Sequence, residues 1–248
     1  MKRILLSLAA LAAAACGGDD DAVIFPDAAP RFDAAPRGDG GVGGCADPTV
    51  VLPTDWQSAA TVSTGLVASQ PGAGMVLTDV DATAGGAMSF GGKPYTYLKF
   101  DLGAMTATRV DITDVESYGS MAWDLGFKRT VIRANGGDSG PAGVRVSSVA
   151  GASLAAVTAV PDPSTFTEDD WADLSCTLVA GLLGEPFTAM GSWYDYNQTT
   201  HMVAPMAVVY VVQLPGGQHV KLRIAGYYGD PANPMRGANY DLEWAPLP

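Results

Sequence analysis

The chain has 248 residues, with 26 acidic side chains against 14 basic ones and a formal charge of −12. So acidic a protein repels phosphates, which excludes nucleic acid as a partner. Two histidines and three cysteines leave little from which to build a zinc cluster or a nucleophile with its base, and we expect no enzymatic activity.

At the N-terminus, Lys2 and Arg3 precede an apolar stretch from Ile4 to Leu11, which runs into Ala12-Ala13-Ala14-Ala15-Cys16. A basic start, a short apolar core and small residues before a cysteine read as a bacterial lipoprotein signal over residues 1–15. It is too short to span a bilayer as a mature helix. Ala13 stands where such signals usually carry leucine, and the other reading is an ordinary signal that leaves Cys16 a plain thiol. An acylated Cys16 would hold the exported chain on a membrane, here the outer membrane on its periplasmic or surface face. Loss of Lys2 and Arg3 with the signal takes the charge from −12 to −14.

Residues 16–46 read as a tether. They are rich in Gly, Asp, Ala and Pro and carry a near-repeat, Pro26-Asp27-Ala28-Ala29-Pro30-Arg31 and Phe32-Asp33-Ala34-Ala35-Pro36-Arg37. Such a segment cannot bury enough apolar surface to offset its ordering entropy, so its expected role is reach. The triple aspartate at 19–21 belongs to it. No second segment is apolar and long enough to cross a membrane. Cys45 and Cys176 remain, and an exported pair is free to form a disulfide. The bridge would contribute about 4 kcal/mol by loop-closure entropy. Cys45 at the end of the tether could equally be free.

Residues 47–248 suit one all-β domain of many short strands, with at most one or two short helices. Pro94 to Asp101 alternates, placing Tyr95, Tyr97 and Lys99 on one face and Leu98 and Phe100 on the other. Asp111, Asp114 and Glu116 match no calcium loop and read as a solvated strand edge. Trp123, Leu125 and Phe127 alternate with Asp124, Gly126 and Lys128, the period of a half-buried strand. Val131-Ile132-Arg133-Ala134 then runs into Asn135-Gly136-Gly137, a turn.

Gly137-Asp138-Ser139-Gly140-Pro141 has the look of a serine-protease nucleophile loop, but no histidine precedes it and a polar turn explains it. Thr167-Glu168-Asp169-Asp170 before Trp171 and Leu174 is the best helix start. Met206 to Leu214 is a nearly continuous apolar run, hence a strand buried on both faces. Pro215-Gly216-Gly217 breaks it, and His219 to Tyr228 resumes with alternation, completing a hairpin. His219 shares a face with Lys221 and Arg223 and should meet solvent. A last strand lies around Tyr240 to Trp244.

The run Trp123-Asp124-Leu125-Gly126-Phe127 with its Asn-Gly-Gly turn resembles the signature of the HmuY-like lipoproteins, a haem-binding family. Trp193-Tyr194-Asp195-Tyr196, the strand carrying Tyr210, the Gly-Gly turn, and Lys221-Leu222-Arg223-Ile224 before Tyr227-Tyr228 follow the family's order, so the resemblance covers roughly residues 90 to 246. It implies an antiparallel β-domain whose open end receives haem or a related tetrapyrrole, delivered to an outer-membrane uptake receptor.

Haem needs an axial ligand, His or Met as a rule, and an apolar slot. In the family two histidines hold the iron, one between the Asn-Gly-Gly turn and the later tryptophan, the other just after that tryptophan. Some relatives use methionines. Here Met190 is the soft ligand between Gly137 and Trp193. The next histidine is His201, several residues past the family's position near Asn197 or Gln198. It stands in a loop with Met202 and Met206 close by. The ligand candidates are therefore His201, Met190, Met202 and Met206, with Trp193, Tyr194 and Tyr196 as candidate pocket walls. The same residues also read as a solvated loop histidine, core methionines and core aromatics. The alternative for the whole protein is a surface lipoprotein that keeps the fold, has lost haem and serves as an interaction or scaffold module.

Overall fold

A computed structural model describes residues 61–83, 93–173, 175–180, 185–191, 193–230 and 236–248. The signal, Cys16, the tether, Cys45 and Leu174 lie outside the described residues. Twelve strands account for most of the regular structure among the described residues: β1 Val67–Pro71, β2 Val76–Asp81, β3 Thr96–Asp101, β4 Thr106–Val110, β5 Leu125–Lys128, β6 Val131–Ala134, β7 Arg145–Ala150, β8 Tyr194–Asn197, β9 Met202–Pro205, β10 Val208–Gln213, β11 His219–Gly226 and β12 Asn239–Leu247. One α-helical turn, α1, spans Asp114–Ser117, and short 3-10 turns lie at Leu154–Ala156 and Pro163–Thr165. No helix among the described residues is long and apolar enough to cross a membrane.

The strands form a six-stranded sheet in the order β1-β2-β12-β11-β10-β7, a four-stranded sheet β4-β3-β5-β6, and a separate ribbon β8-β9. Every pairing between these strands is antiparallel. The fold is all-β, as the patterning leads one to expect. Alternation in β3 sorts its side chains: Leu98 and Phe100 join the core between the sheets, while Tyr95 and Tyr97 join a second cluster with Trp123 and Trp171. The central core is rich in tilted aromatic pairs, with Phe100 on Trp244 at 5.0 Å and Phe127 on Tyr240 at 5.1 Å, an arrangement favoured by the ring quadrupoles.

Strand β10 is buried on both faces because the outer face of the six-stranded sheet is also covered. Tyr210 and Val212 enter the central core, and Val209 and Val211 pack with Leu154, Val157 and Phe166. The same cover changes the fate of His219. It is half-buried and its ring lies 5.8 Å from Phe166, rather than standing in water as its strand neighbours suggest. The Pro-Gly-Gly turn forms as expected, with Gly216 and Gly217 at φ of 89° and 84°. Leu214 N donates to Gln218 O at 2.7 Å across it.

Three local expectations give way to tertiary contacts. Thr167 to Trp171 is extended rather than helical, bridging to Val146 through Thr167 and to Gly137 through Asp169. The Asp169 carboxylate is drawn inward instead of capping a helix, and accepts from Ala134 N and Ala189 N at 2.9 and 2.8 Å and from Ser139 Oγ at 2.6 Å. The helical turn appears instead at Thr113–Glu116, where the Thr113 and Glu116 side chains form a reciprocal capping box. Asp114 is not a solvated edge. It is fully buried and accepts from Tyr95 N and Tyr97 Oη. The strand through Leu125 to Lys128 is not half-exposed either, since all four of its residues are buried.

What buries that strand's polar side is a cage around Arg133. The guanidinium is fully buried, 5.0 Å from the Tyr95 ring centroid, 4.5 Å from Tyr118 and 5.5 Å from Trp123. It donates to Tyr97 Oη, Ser139 Oγ and Ser139 O. Burial opposes its charge, but the neighbouring tyrosines and Asp114 outweigh it and raise its pKa. Gly137, at φ 58°, lets the turn close on this cage, for a Cβ there would sit 2.1 Å from Asp169 O.

Candidate functional site

The ribbon β8–β9 and its turn carry Tyr194, Tyr196, His201 and Met202 of the residues singled out for ligand binding, and the ribbon is tied to the body at its base. Trp193, which precedes it, is 1% exposed and packs against Tyr194, Tyr227 and Tyr240 with centroids 4.8 to 5.4 Å apart. Its Nε1 donates to Thr130 O at 2.8 Å. Met206 N donates to Trp193 O at 2.8 Å, and Val203 N to Tyr228 Oη at 3.0 Å. Trp193 is therefore a root of the ribbon in the core. Tyr194 is half-buried beside it, and burial raises its phenol pKa.

Register runs from Tyr194 opposite Pro205 to Asn197 opposite Met202, so residues 198–201 form the turn. Asn197 organises that turn with its own groups. Its Oδ1 accepts from Thr199 N and Thr200 N at 2.9 and 2.8 Å, and its carbonyl from His201 N at 2.8 Å. His201 closes the turn at φ 57°, a left-handed conformation that histidine visits more readily than most residues. It is exposed, and its Nδ1 lies 2.8 Å from Tyr196 Oη. The expected loop before the buried strand is thus a hairpin tip.

The candidate ligands are separated by this geometry. Met190 is 0% exposed and belongs to the central core. Met202 is half-buried on β9, and Met206 is 46% exposed between β9 and β10. Tyr196 is 42% exposed. Of the donors haem would need, His201 offers an imidazole that protein does not cover, and the sulfur of Met190 is enclosed in the core. Two clefts among the described residues, of about 310 and 390 Å³, lie elsewhere and mix charged with apolar lining, and neither is lined by His201 or Met190. One is lined by Asp79, Asp241 and Arg236, the other by Lys99, Asp101 and Asp124. No group of three His, Cys, Asp or Glu residues among those described could hold a bare metal ion.

Sequence reasoning missed Asp169. Burial pushes its carboxyl up to about 6, against the pull of Ser139, the Ala189 and Ala134 amides and Arg133. It ties the segment leading to Met190 and the ribbon onto β6. Its one sequence signal, an acidic run ahead of a tryptophan, reads as a helix start. Cys176 is disulfide-bonded, and its partner lies outside the described residues.

These observations define an antiparallel β-protein in which the exposed candidate histidine sits at the tip of a β-ribbon, away from either described cleft. The chain belongs to the HmuY protein family, whose profile matches residues 93–239, more than half its length. Similar solved structures include a protein from Bacteroides fragilis, with 17% identity and a TM-score of 0.46 over 71% of this chain and 93% of that one. A HmuY-like protein from Bacteroides vulgatus has 16% identity and a TM-score of 0.46, over 75% and 97%. The apo form of a HmuY analog from Tannerella forsythia has 15% identity and a TM-score of 0.44, over 75% and 98%. No curated protein matches.

Proposed function

We propose that this chain is an envelope lipoprotein, anchored through Cys16, that binds haem or a related tetrapyrrole and passes it to an uptake receptor, with His201 as an axial ligand. The observation that supports this most is the hairpin tip. Within the region that matches the HmuY family, an exposed imidazole is held through Nδ1 by Tyr196, and Nε2 has no partner among the described residues. Imidazole is a common haem ligand. Met190, Met202 and Met206 are the candidates for a second donor, and Met190 would serve only if its sulfur were freed from the core. The Cys45–Cys176 bridge belongs to the same proposal as a staple between the tether and the domain.

Haemin titration of the purified chain, followed by the Soret band in both redox states, tests this reading. Saturable binding near one equivalent that is lost in His201→Ala supports it. Binding unaffected by that substitution removes His201 as the ligand. Membrane fractionation of Cys16→Ala tests the anchor, which predicts loss from the membrane fraction. The second reading, a HmuY-fold interaction module without haem, draws on the burial of Met190 and Trp193, two of the candidates, in the core. It predicts no saturable haemin binding by the wild-type chain.

A further inference from the structure

Asn197, the last residue of β8, opens the sequence Asn197-Gln198-Thr199, and Asp195 stands two residues before it. Asn-X-Ser/Thr with X other than proline is the acceptor pattern for N-linked glycan on exported chains. Bacterial transferases select in addition an acidic residue two positions ahead of the asparagine. Of the four asparagines in the chain, Asn135, Asn197, Asn233 and Asn239, Asn197 alone stands in this pattern. A pattern this short also arises in ordinary turns, so its presentation decides.

Every residue from Asp195 to His201 is exposed. Asp195 and Asn197 alternate with Tyr196 along β8 and so share one face of the ribbon. The Asn197 Oδ1 accepts from Thr199 N and Thr200 N. Two backbone donors fix that atom as the oxygen, and Nδ2 has no partner among the described residues. Asn135 and Asn239 are the opposite case. Nδ2 of Asn135 donates to Ser120 O and Trp123 O, and Nδ2 of Asn239 to Arg236 O and Gly237 O. Asn197 thus shapes its turn with the oxygen and leaves the nitrogen to solvent, and a bond made at Nδ2 keeps both turn hydrogen bonds. The ribbon pairs with neither larger sheet, and a two-stranded ribbon is marginal by itself. A transferase can therefore open the tip without breaking either sheet.

We propose that Asn197 is the acceptor of an N-linked glycan, transferred to the exported chain from a polyprenyl-diphosphate-linked oligosaccharide. Nδ2 attacks the anomeric carbon of the donor sugar. The bond from that carbon to Nδ2 forms, and its bond to the diphosphate oxygen breaks, with the electron pair leaving on the lipid diphosphate. Nδ2 gives up one proton to a base of the transferase, and nothing is oxidised or reduced. The proposal rests on the export part of the proposed function and not on haem, for the glycan projects from the face opposite Tyr196.

The purified full chain, incubated with a bacterial oligosaccharyl transferase and its lipid-linked donor, is read by peptide mass spectrometry, beside a synthetic peptide of residues 193–206. The wild type should gain one glycan, on Asn197, while Asn197→Gln and Thr199→Ala gain none. Asp195→Ala should slow transfer about tenfold, the loss expected for one charge-assisted contact. Transfer to the peptide but not to the folded chain overturns the presentation of Asn197 by the ribbon, and transfer to neither overturns the site. The chain recovered from its own cells should carry the same adduct, and a bare Asn197 there overturns the modification. The assay with purified components needs no export, so its failure is distinct from failure of the envelope reading, which membrane fractionation reports.

Discussion

The cage around Arg133 and the tip of the β8–β9 ribbon use similar chemistry, aromatic rings around a nitrogen base, in opposite surroundings. In the cage the cation is shut away with three rings within 5.5 Å and hydrogen bonds to Tyr97 and Ser139. At the tip the imidazole is exposed and has one side-chain partner among the described residues. Burial makes the cage expensive to disturb and useless for capture, whereas exposure makes the tip cheap to change and open to a ligand. The residues that mark the family, Trp123 to Phe127 and the Asn-Gly-Gly turn, surround or adjoin the cage. They identify the fold, and the candidate chemistry lies elsewhere.

Substitutions can widen or erase that contrast. Removing the caged cation with Arg133→Met takes its hydrogen bonds from Tyr97 Oη, Ser139 Oγ and Ser139 O and its offsetting charge from buried Asp114 and Asp169, and should lower stability by about 3–5 kcal/mol in chemical denaturation. Trp193→Ala should cost a similar amount, about 3–5 kcal/mol, if the residue roots the ribbon. A pocket wall would instead lose ligand and keep stability.

Asp169 links the two regions and predicts a pH effect. Its carboxyl rises from 3.8 to about 6 on folding, so the native state holds the proton more tightly than the unfolded chain. Stability should therefore fall as pH rises through this window, by about 3 kcal/mol in all. In Asp169→Asn that slope should vanish. At pH 4 the amide should lower stability by about 1–3 kcal/mol, because its NH2 faces backbone donors that the carboxyl now satisfies, and the gap should close as the wild type weakens toward pH 7. Melting curves of both proteins from pH 4 to 7 measure the slope.

Smaller effects follow at the surface. Thr113→Ala should cost about 1 kcal/mol through the lost cap of α1. His201→Ala should change stability by no more than about 0.5 kcal/mol while removing haemin binding, and that separation of stability from binding would set the tip apart from the cage most clearly.

The pattern of the chain made much of the fold readable. Alternation in β3 sorted Tyr95 and Tyr97 from Leu98 and Phe100, and the unbroken run of β10 announced burial on both faces. The Pro-Gly-Gly hairpin could be placed to the residue because positive φ at two successive positions favours glycine. Polar residues misled where a distant segment covered them. Lys128, Arg133, Asp114 and Asp169 look like solvent positions by composition, and each is buried by chain far away in sequence. At the candidate site, His201 and its neighbouring methionines could be named in advance. Their differing exposure could not, nor could the pairing with Tyr196 across the turn.

By itself, then, the sequence determined the acidic character, the all-β class, the family and the short list of donors, because these depend on residue type and near-neighbour spacing. Only the tertiary structure decided which donors face solvent. Met190 and Trp193 went into the core while His201 stayed out, because burial is settled by packing between sheets whose strands lie up to a hundred and more residues apart, such as Tyr240 against Phe127, and no local period carries that information.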